Sequence, residues 1–329
     1  MKVCVVGAGA IGGLIAAKLA LAGQCEVSVI ARATTAQIVR ERGLRLKSGG
    51  ELRAVRVRVE EHPAALGVQD IVFVAVKGQS MTSVASTVAP LIGPNTMIVP
   101  AMNGVPWWFA QVVPALGNQP LLSVDPTGGI GASIPANQVL GCVVHASASV
   151  PEAGLVDHKF GLGLIVGKAN GGDSERAAAV VKLLKHAGFE ATLSANIVQD
   201  IWFKLWGNLT MNPVSAITGA TVDQILGDPL VRRFCSAAME EASSVGRQIG
   251  VTIDLTPDAR HEVTAKLGAF KTSMLQDVEA GREIELDGIV GAVQEIAQRL
   301  NVATPNIDAL LGLARLFGRV HGVCPEAAQ

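Results

Sequence analysis

Apolar and polar positions along the chain follow two regimes. The first opens on Val3-Cys4-Val5-Val6, an apolar run that passes through a glycine turn into the alanine-rich stretch 13–21. A short apolar run bounded by glycine predicts a buried strand, and the stretch after it a helix. The alternation recurs: strands at 26–31, 44–46, 55–59, 70–76 and 96–101, and helices at 35–42 and 81–91. Residues 121–167 fall into short β-rich pieces, 142–149 and 163–167 among them, expected to extend the same sheet. A helix at 177–187 and a strand at 190–193 close this regime. Beyond Asn196 the periodicity is helical only, at 197–218, 229–249, 257–275, 286–300 and 305–320, three of them starting on proline, which suits a first helical turn. The pattern therefore predicts an α/β protein, with a Rossmann-type domain over residues 1–195 and an all-helical domain over residues 196–329.

The turn after the first strand reads Gly7-Ala8-Gly9-Ala10-Ile11-Gly12, a G-x-G-x-x-G motif between strand and helix. In that setting Gly7 permits the tight turn, Gly9 admits a pyrophosphate and Gly12 allows close helix packing, while the helix start offers unpaired N–H groups. Where a protein binding NAD would carry an acidic residue for the ribose hydroxyl, the second strand ends in Arg32, which suits the 2′-phosphate of NADP. Ligands of such sheets bind beyond the strand C-termini. Lys77 and Asn103 follow two further strands and are candidates on the same rim as Gly7. The bland readings stay open here: a flavin or no ligand on the same fold, a solvated strand-end lysine, an Asn-Gly turn, a surface arginine.

A length of 329 residues suggests more than one core. Lysine and arginine number 27 against 28 acidic residues, so bulk charge draws in neither nucleic acid nor an anionic membrane. Cys4, Cys25, Cys142, Cys235 and Cys324 are scattered, which argues against a disulfide framework or a zinc site and fits a reducing cytoplasm. Residues 78–124 lack charge, but prolines break them into pieces too short to span a bilayer, and Lys18 with the glycines argues against an export signal at the N-terminus.

In the helical regime Lys204, Asn208 and Asn212 stand at i, i+4 and i+8, on one helix face. Trp202, Phe203, Leu205 and Trp206 flank the lysine in sequence and are expected to desolvate it. A solvated polar face gives the same spacing. With the glycine motif, Arg32, Lys77, Asn103-Gly104 and Trp202-Phe203-Lys204-Leu205, and with Ser273-Met274-Leu275-Gln276-Asp277 and Glu285-Leu286-Asp287-Gly288, the chain resembles the ketopantoate reductase family over nearly its whole length.

The resemblance implies NADPH-dependent reduction of 2-dehydropantoate (ketopantoate) to pantoate, in pantothenate and coenzyme A biosynthesis. It implies Lys204 as the general acid at the ketone oxygen, assisted by Glu285. Asn208, Asn212 and Ser273 would hold the substrate, Arg32 and Lys77 the adenosine phosphate, and Asn103 would lie where nicotinamide and substrate meet. Both sets of residues are then expected to face one site between the domains. Thr221-Val222-Asp223 departs from a further asparagine of some members, and Pro106-Trp107-Trp108-Phe109 is bulkier than expected. Trp107 and Trp108 narrow the substrate cleft, bind something larger than pantoate, or serve domain packing, and lining the pocket would favour an aromatic substrate. The rivals are a reductase of another branched or aromatic 2-keto acid and a non-catalytic NADP-binding redox sensor, against which the retained lysine, glutamate and asparagines argue. The partner is a small molecule, and the assembly is open, a homodimer included.

Overall fold

The computed structural model describes residues 1–324. The chain runs β1 (Lys2–Val6), α1 (Ala10–Ala22), β2 (Glu26–Ile30), α2 (Ala33–Arg42), β3 (Leu44–Ser48), β4 (Glu51–Val55), β5 (Arg58–Glu60), β6 (Ile71–Val74), α3 (Met81–Thr87) and β7 (Met97–Pro100). There follow α4 (Phe109–Val112), α5 (Gly129–Ser133), β8 (Leu140–Glu152), β9 (Leu155–Lys168), α6 (Glu175–His186) and β10 (Glu190–Ser194). Helices then take over: α7 (Ile197–Thr218), α8 (Val222–Gly227), α9 (Pro229–Gln248), α10 (Pro257–Ala265), α11 (Ser273–Glu279), α12 (Ala292–Arg299) and α13 (Pro305–Val320). Two compact units result, one from Met1–Met102 with Thr127–Asp200, the other from Asn103–Pro126 with Ile201 onward. The second unit thus takes in a segment lying well before Asn196.

The first unit contains a parallel sheet of order β5-β2-β1-β6-β7, the doubly wound arrangement in which the strand order reverses beside β1. Residues 121–167 do not extend it, contrary to the sequence expectation. They supply β8 and β9, the heart of a second sheet in which β9 pairs antiparallel with β8 along one edge and parallel with β3 and β10 along the other. The reason lies in α1, whose Leu14, Ile15, Ala16, Ala17 and Leu19 are all buried. A helix apolar on every side needs cover on every side, and α1 packs on β1 and β2 as well as on β8 and β9. Gly13 makes the second contact close, since a Cβ there would lie 2.5 Å from Val156 Cγ2.

The expected strand at 55–59 is also divided. β4 ends at Val55, paired in the second sheet, and β5 begins at Arg58 in the first. In the second unit the expected helix 257–275 breaks after Ala265, where Gly268 adopts φ 63°, and restarts at Ser273 behind Thr272, whose side chain accepts from the Leu275 N–H. The short helix α8 has no counterpart in the sequence reading. Among the described residues no helix is long and apolar enough to cross a membrane.

Candidate active site

The glycine turn is built by steric exclusion. Gly7 adopts φ 100°, and a Cβ on it would lie 2.7 Å from Ala75 O; a Cβ on Gly12 would lie 1.9 Å from Gly7 O. Only glycine fits at either position. Gly9 differs, since a Cβ there would meet nothing within 4 Å. Gly9 is the N-cap of α1, in extended backbone and without a side-chain cap, and no acidic residue occupies the first turn. Open space in front of uncapped N–H groups at a helix start is the form a pyrophosphate cradle takes, so the turn fits a dinucleotide. Ala8, Ala10 and Ile11 are half-buried around it.

Arg32 and Lys77 follow the ends of β2 and β6, the two neighbours of β1 in the sheet, so both emerge on the edge that carries Gly7. Arg32 is exposed at the N-cap of α2 and pairs with no carboxylate among the described residues. Lys77 is half-buried. Asn103, expected on the same rim, belongs by its packing to the second unit.

There Lys204 Nζ donates to Asn103 Oδ1 at 2.7 Å. An ammonium has donors only, so the amide must present its oxygen to the lysine, and its NH₂ is left to meet another acceptor. The Asn103 backbone is fixed beside it. Val105 N–H donates to Gly288 O at 2.8 Å, and Gly104 adopts φ 80° so close to Gly288 that a Cβ would lie 2.4 Å from that oxygen. Gly288 sits in a π-helical turn, Asp287–Gly291, that leads into α12. Such wide turns recur at functional sites, and this one follows Glu285, which is half-buried and one residue ahead of the helix.

Asn208 is half-buried and Asn212 buried on α7, as the i, i+4, i+8 spacing requires. Neither side chain makes a hydrogen bond among the described residues. Ser273 is exposed at the start of α11, and its hydroxyl likewise bonds nothing described. The structure therefore joins Asn103 to Lys204 directly and sets the two asparagines on the same stripe.

The expectation that Trp202 and Trp206 surround the lysine is corrected. Residues two apart on a helix point to opposite sides, and both indoles face α9, where Trp202 Nε1 donates to Ala242 O at 3.2 Å and Trp206 Nε1 to Met239 O at 2.7 Å. Trp107 and Trp108 are buried as well, at 2% and 0% exposure. Trp108 packs on Phe109, which stacks on Trp202 with centroids 6.0 Å apart. They are core residues of the second unit.

Glu295 and Arg299 on α12 were not singled out in the sequence, although their i, i+4 spacing marks a helix pair. Glu295 accepts from Leu122 N–H at 2.9 Å, from Ser123 N–H at 2.8 Å and from Ser123 Oγ at 2.7 Å, while Arg299 donates to Gln119 O at 2.9 Å and to Glu295. Burial alone would raise the Glu295 pKa; the bonds from Ser123, Leu122 and Arg299 outweigh it and hold the carboxyl below its usual value. The pair ties the far end of Asn103–Pro126 to the helical unit. No sequence signal reveals which loop such a pair will catch.

Comparison with known proteins gives matches to both parts of the chain. The family model described as "Ketopantoate reductase PanE/ApbA" matches residues 3–171, and the one described as "Ketopantoate reductase PanE/ApbA C terminal" matches residues 196–317. A 2-dehydropantoate 2-reductase from Mesorhizobium japonicum is 40% identical over 324 residues, covering 98% of this chain and 99% of that protein. A crystal structure of a proposed ketopantoate reductase from Ralstonia solanacearum MolK2 is 50% identical with a TM-score of 0.94, covering 98% of this chain and 99% of that one. A D-mandelate dehydrogenase, solved with NADH and anilino(oxo)acetate, has a TM-score of 0.83 at 20% identity over 98% of this chain and 100% of that one, a likeness of fold alone.

Proposed function

This chain belongs to the ketopantoate reductase family of oxidoreductases, and from that premise we propose that it reduces a 2-keto acid to the 2-hydroxy acid with NADPH, ketopantoate being the leading substrate and pantoate the product. The observation that carries the reading is the Lys204–Asn103 pair at 2.7 Å beside Asn208 and Asn212. One cation held by a neutral amide, next to two amides with no hydrogen-bond partner among the described residues, is an arrangement suited to a ketone oxygen and the polar groups around it. A protein that only sensed NADPH would need none of it.

In this reading the glycine turn of residues 1–195 holds the dinucleotide, with Arg32 and Lys77 at the adenosine phosphate. Bound NADPH supplies a hydride from C4 of its nicotinamide. Lys204 hydrogen-bonds the ketone oxygen and donates a proton to it as negative charge develops. Asn103 keeps the ammonium in place and offers its own NH₂ to the substrate. Asn208, Asn212 and Ser273 bind the hydroxyl and carboxylate ends, and Glu285 assists the lysine. Residues 196–329 are thus assigned to substrate binding and catalysis, with Asn103 added to them. Arg32, free of any described carboxylate and with no acidic residue at the end of β2, favours NADPH over NADH.

Burial of Trp107 and Trp108 removes the ground for a wider, aromatic-lined pocket, so the rival of an aromatic 2-keto acid loses its support. The five cysteines form no disulfide, in keeping with a cytoplasmic enzyme of pantothenate and coenzyme A biosynthesis. The test is kcat/KM for ketopantoate beside a panel of branched and aromatic 2-keto acids, with each nicotinamide cofactor. We expect the highest value for ketopantoate with NADPH. A higher value for another acid overturns the substrate, and a preference for NADH overturns the cofactor.

A further inference from the structure

We propose that Arg260 is an additional substrate-binding residue, its guanidinium receiving the carboxylate of the 2-keto acid alongside Lys204. The inference rests on the reductase reading and adds to it a residue that the sequence did not single out.

Arg260 lies on α10, and its guanidinium is laid flat on α7. A Cβ built on Gly207 would be 3.0 Å from both Nε and Nη2, and Cζ stands 5.3 Å from the centroid of the Phe203 ring. Phe203 and Gly207 are i and i+4, the row next to Lys204 and Asn208. Lys204 and Gly207 are i and i+3, neighbours on the helix surface roughly 5–6 Å apart, so an ammonium from one and a guanidinium laid on the other can converge on the adjacent keto and carboxylate oxygens of one 2-keto acid. Glycine is, after proline, the residue least suited to a helix interior, and here its missing side chain is what lets the guanidinium approach.

The charge itself is unmatched. No carboxylate pairs with Arg260 among the described residues, and its Nε is buried without a hydrogen-bond partner. Burial also pushes the guanidinium pKa down. Arginine nevertheless remains charged in proteins, and a half-buried cation without a partner is a place for something of opposite charge. Lys204 stands on the adjacent row of the same helix, and a planar oxyanion accepting two parallel N–H groups is the chemistry that fits an unpaired guanidinium there.

The experiment compares the unmodified enzyme with Arg260→Met and Arg260→Lys, using ketopantoate and its neutral methyl ester at saturating NADPH. Tryptophan fluorescence titration with oxamate, a carboxylate probe that needs no turnover, runs beside it. Arg260→Met should raise KM for the acid about 30-fold or more with a much smaller change in kcat, while the ester loses far less. Arg260→Lys should recover part of the loss, and oxamate binding should weaken in parallel. Because the guanidinium has no carboxylate or hydrogen-bond partner among the described residues and would lose only its contact with the Phe203 ring, Tm should change little in Arg260→Met. Equal losses for acid and ester, or a lower Tm with unchanged KM for the acid, would overturn the assignment. If the unmodified enzyme fails to reduce ketopantoate yet oxamate binding still depends on Arg260, the assigned reaction falls and the carboxylate site stands.

Discussion

The glycine turn ahead of α1 and the polar stripe on α7 are built on opposite principles. In the first, atoms are missing: Gly7 and Gly12 are required because backbone oxygens lie where a Cβ would go, and Gly9 leaves the helix start open. In the second, side chains are aimed, and Lys204 becomes a candidate acid only through Asn103, 101 positions away in sequence. A site made of backbone is specified by local sterics and tolerates little change in the turn itself. A site made of side chains is specified by packing elsewhere, by the Gly104–Gly288 contact and by the grip of Glu295 and Arg299 on residues 119–123.

The largest effect expected from this contrast is at Lys204. Lys204→Ala should lower kcat by about 10² to 10⁴ while NADPH affinity changes little, since a positioned acid acts on the chemical step. Steady-state kinetics with a fluorescence titration of NADPH separate the two. A near-normal rate in a folded variant would break the account of the stripe.

Next in size is a pair of substitutions within the turn. Gly12→Ala places a Cβ 1.9 Å from Gly7 O and should cost about 1–3 kcal/mol or more of stability along with cofactor binding. Gly9→Ala meets nothing within 4 Å, so it should melt like the unmodified protein and lose NADPH affinity alone. Equal melting of the two variants would mean that the turn is not built by exclusion.

This contrast also explains what the sequence made legible. The strand, turn and helix around Gly7–Gly12 were readable because the whole motif is contiguous in sequence, although Gly7 also answers to the distant Ala75, and 197–218 was readable because its periodicity is strong. The second sheet was not, since nothing in 121–167 shows that α1 will demand cover on its far side. The stripe Lys204, Asn208, Asn212 followed from spacing, but the surroundings of the lysine were misjudged. Trp202 and Trp206 are close to it in sequence and point away from it on the helix. The break at Gly268 was hidden inside a sequence with otherwise acceptable helix periodicity. Arg260 and Glu295 carried no signal because their partners, Gly207 and Leu122-Ser123, are distant in sequence.

A smaller effect is expected at Arg32. Arg32→Asp should reduce the preference for NADPH over NADH by roughly tenfold or more, the worth of one charge-assisted contact. Unchanged kcat/KM ratios would remove this arginine from the 2′-phosphate.

The smallest effect concerns acid. The folded Glu295 carboxyl is held below its usual value of 4.5, so the stability it contributes is present above that pH and is lost as pH falls through the folded pKa. Glu295→Gln should therefore show a shallower decline of Tm below about pH 4.5 than the unmodified protein. Parallel curves would show that the carboxylate is not what fastens the 119–123 segment.

The central claim, that this chain moves a hydride from NADPH to the keto carbon of ketopantoate, is tested most directly by tracing that hydride. The unmodified enzyme is incubated with NADPH carrying deuterium at both C4 positions and with ketopantoate, and the product is examined by mass spectrometry. The account predicts pantoate with one deuterium on C2, formed in equal amount to the NADPH consumed. Consumption without pantoate, or pantoate without the label, would contradict it.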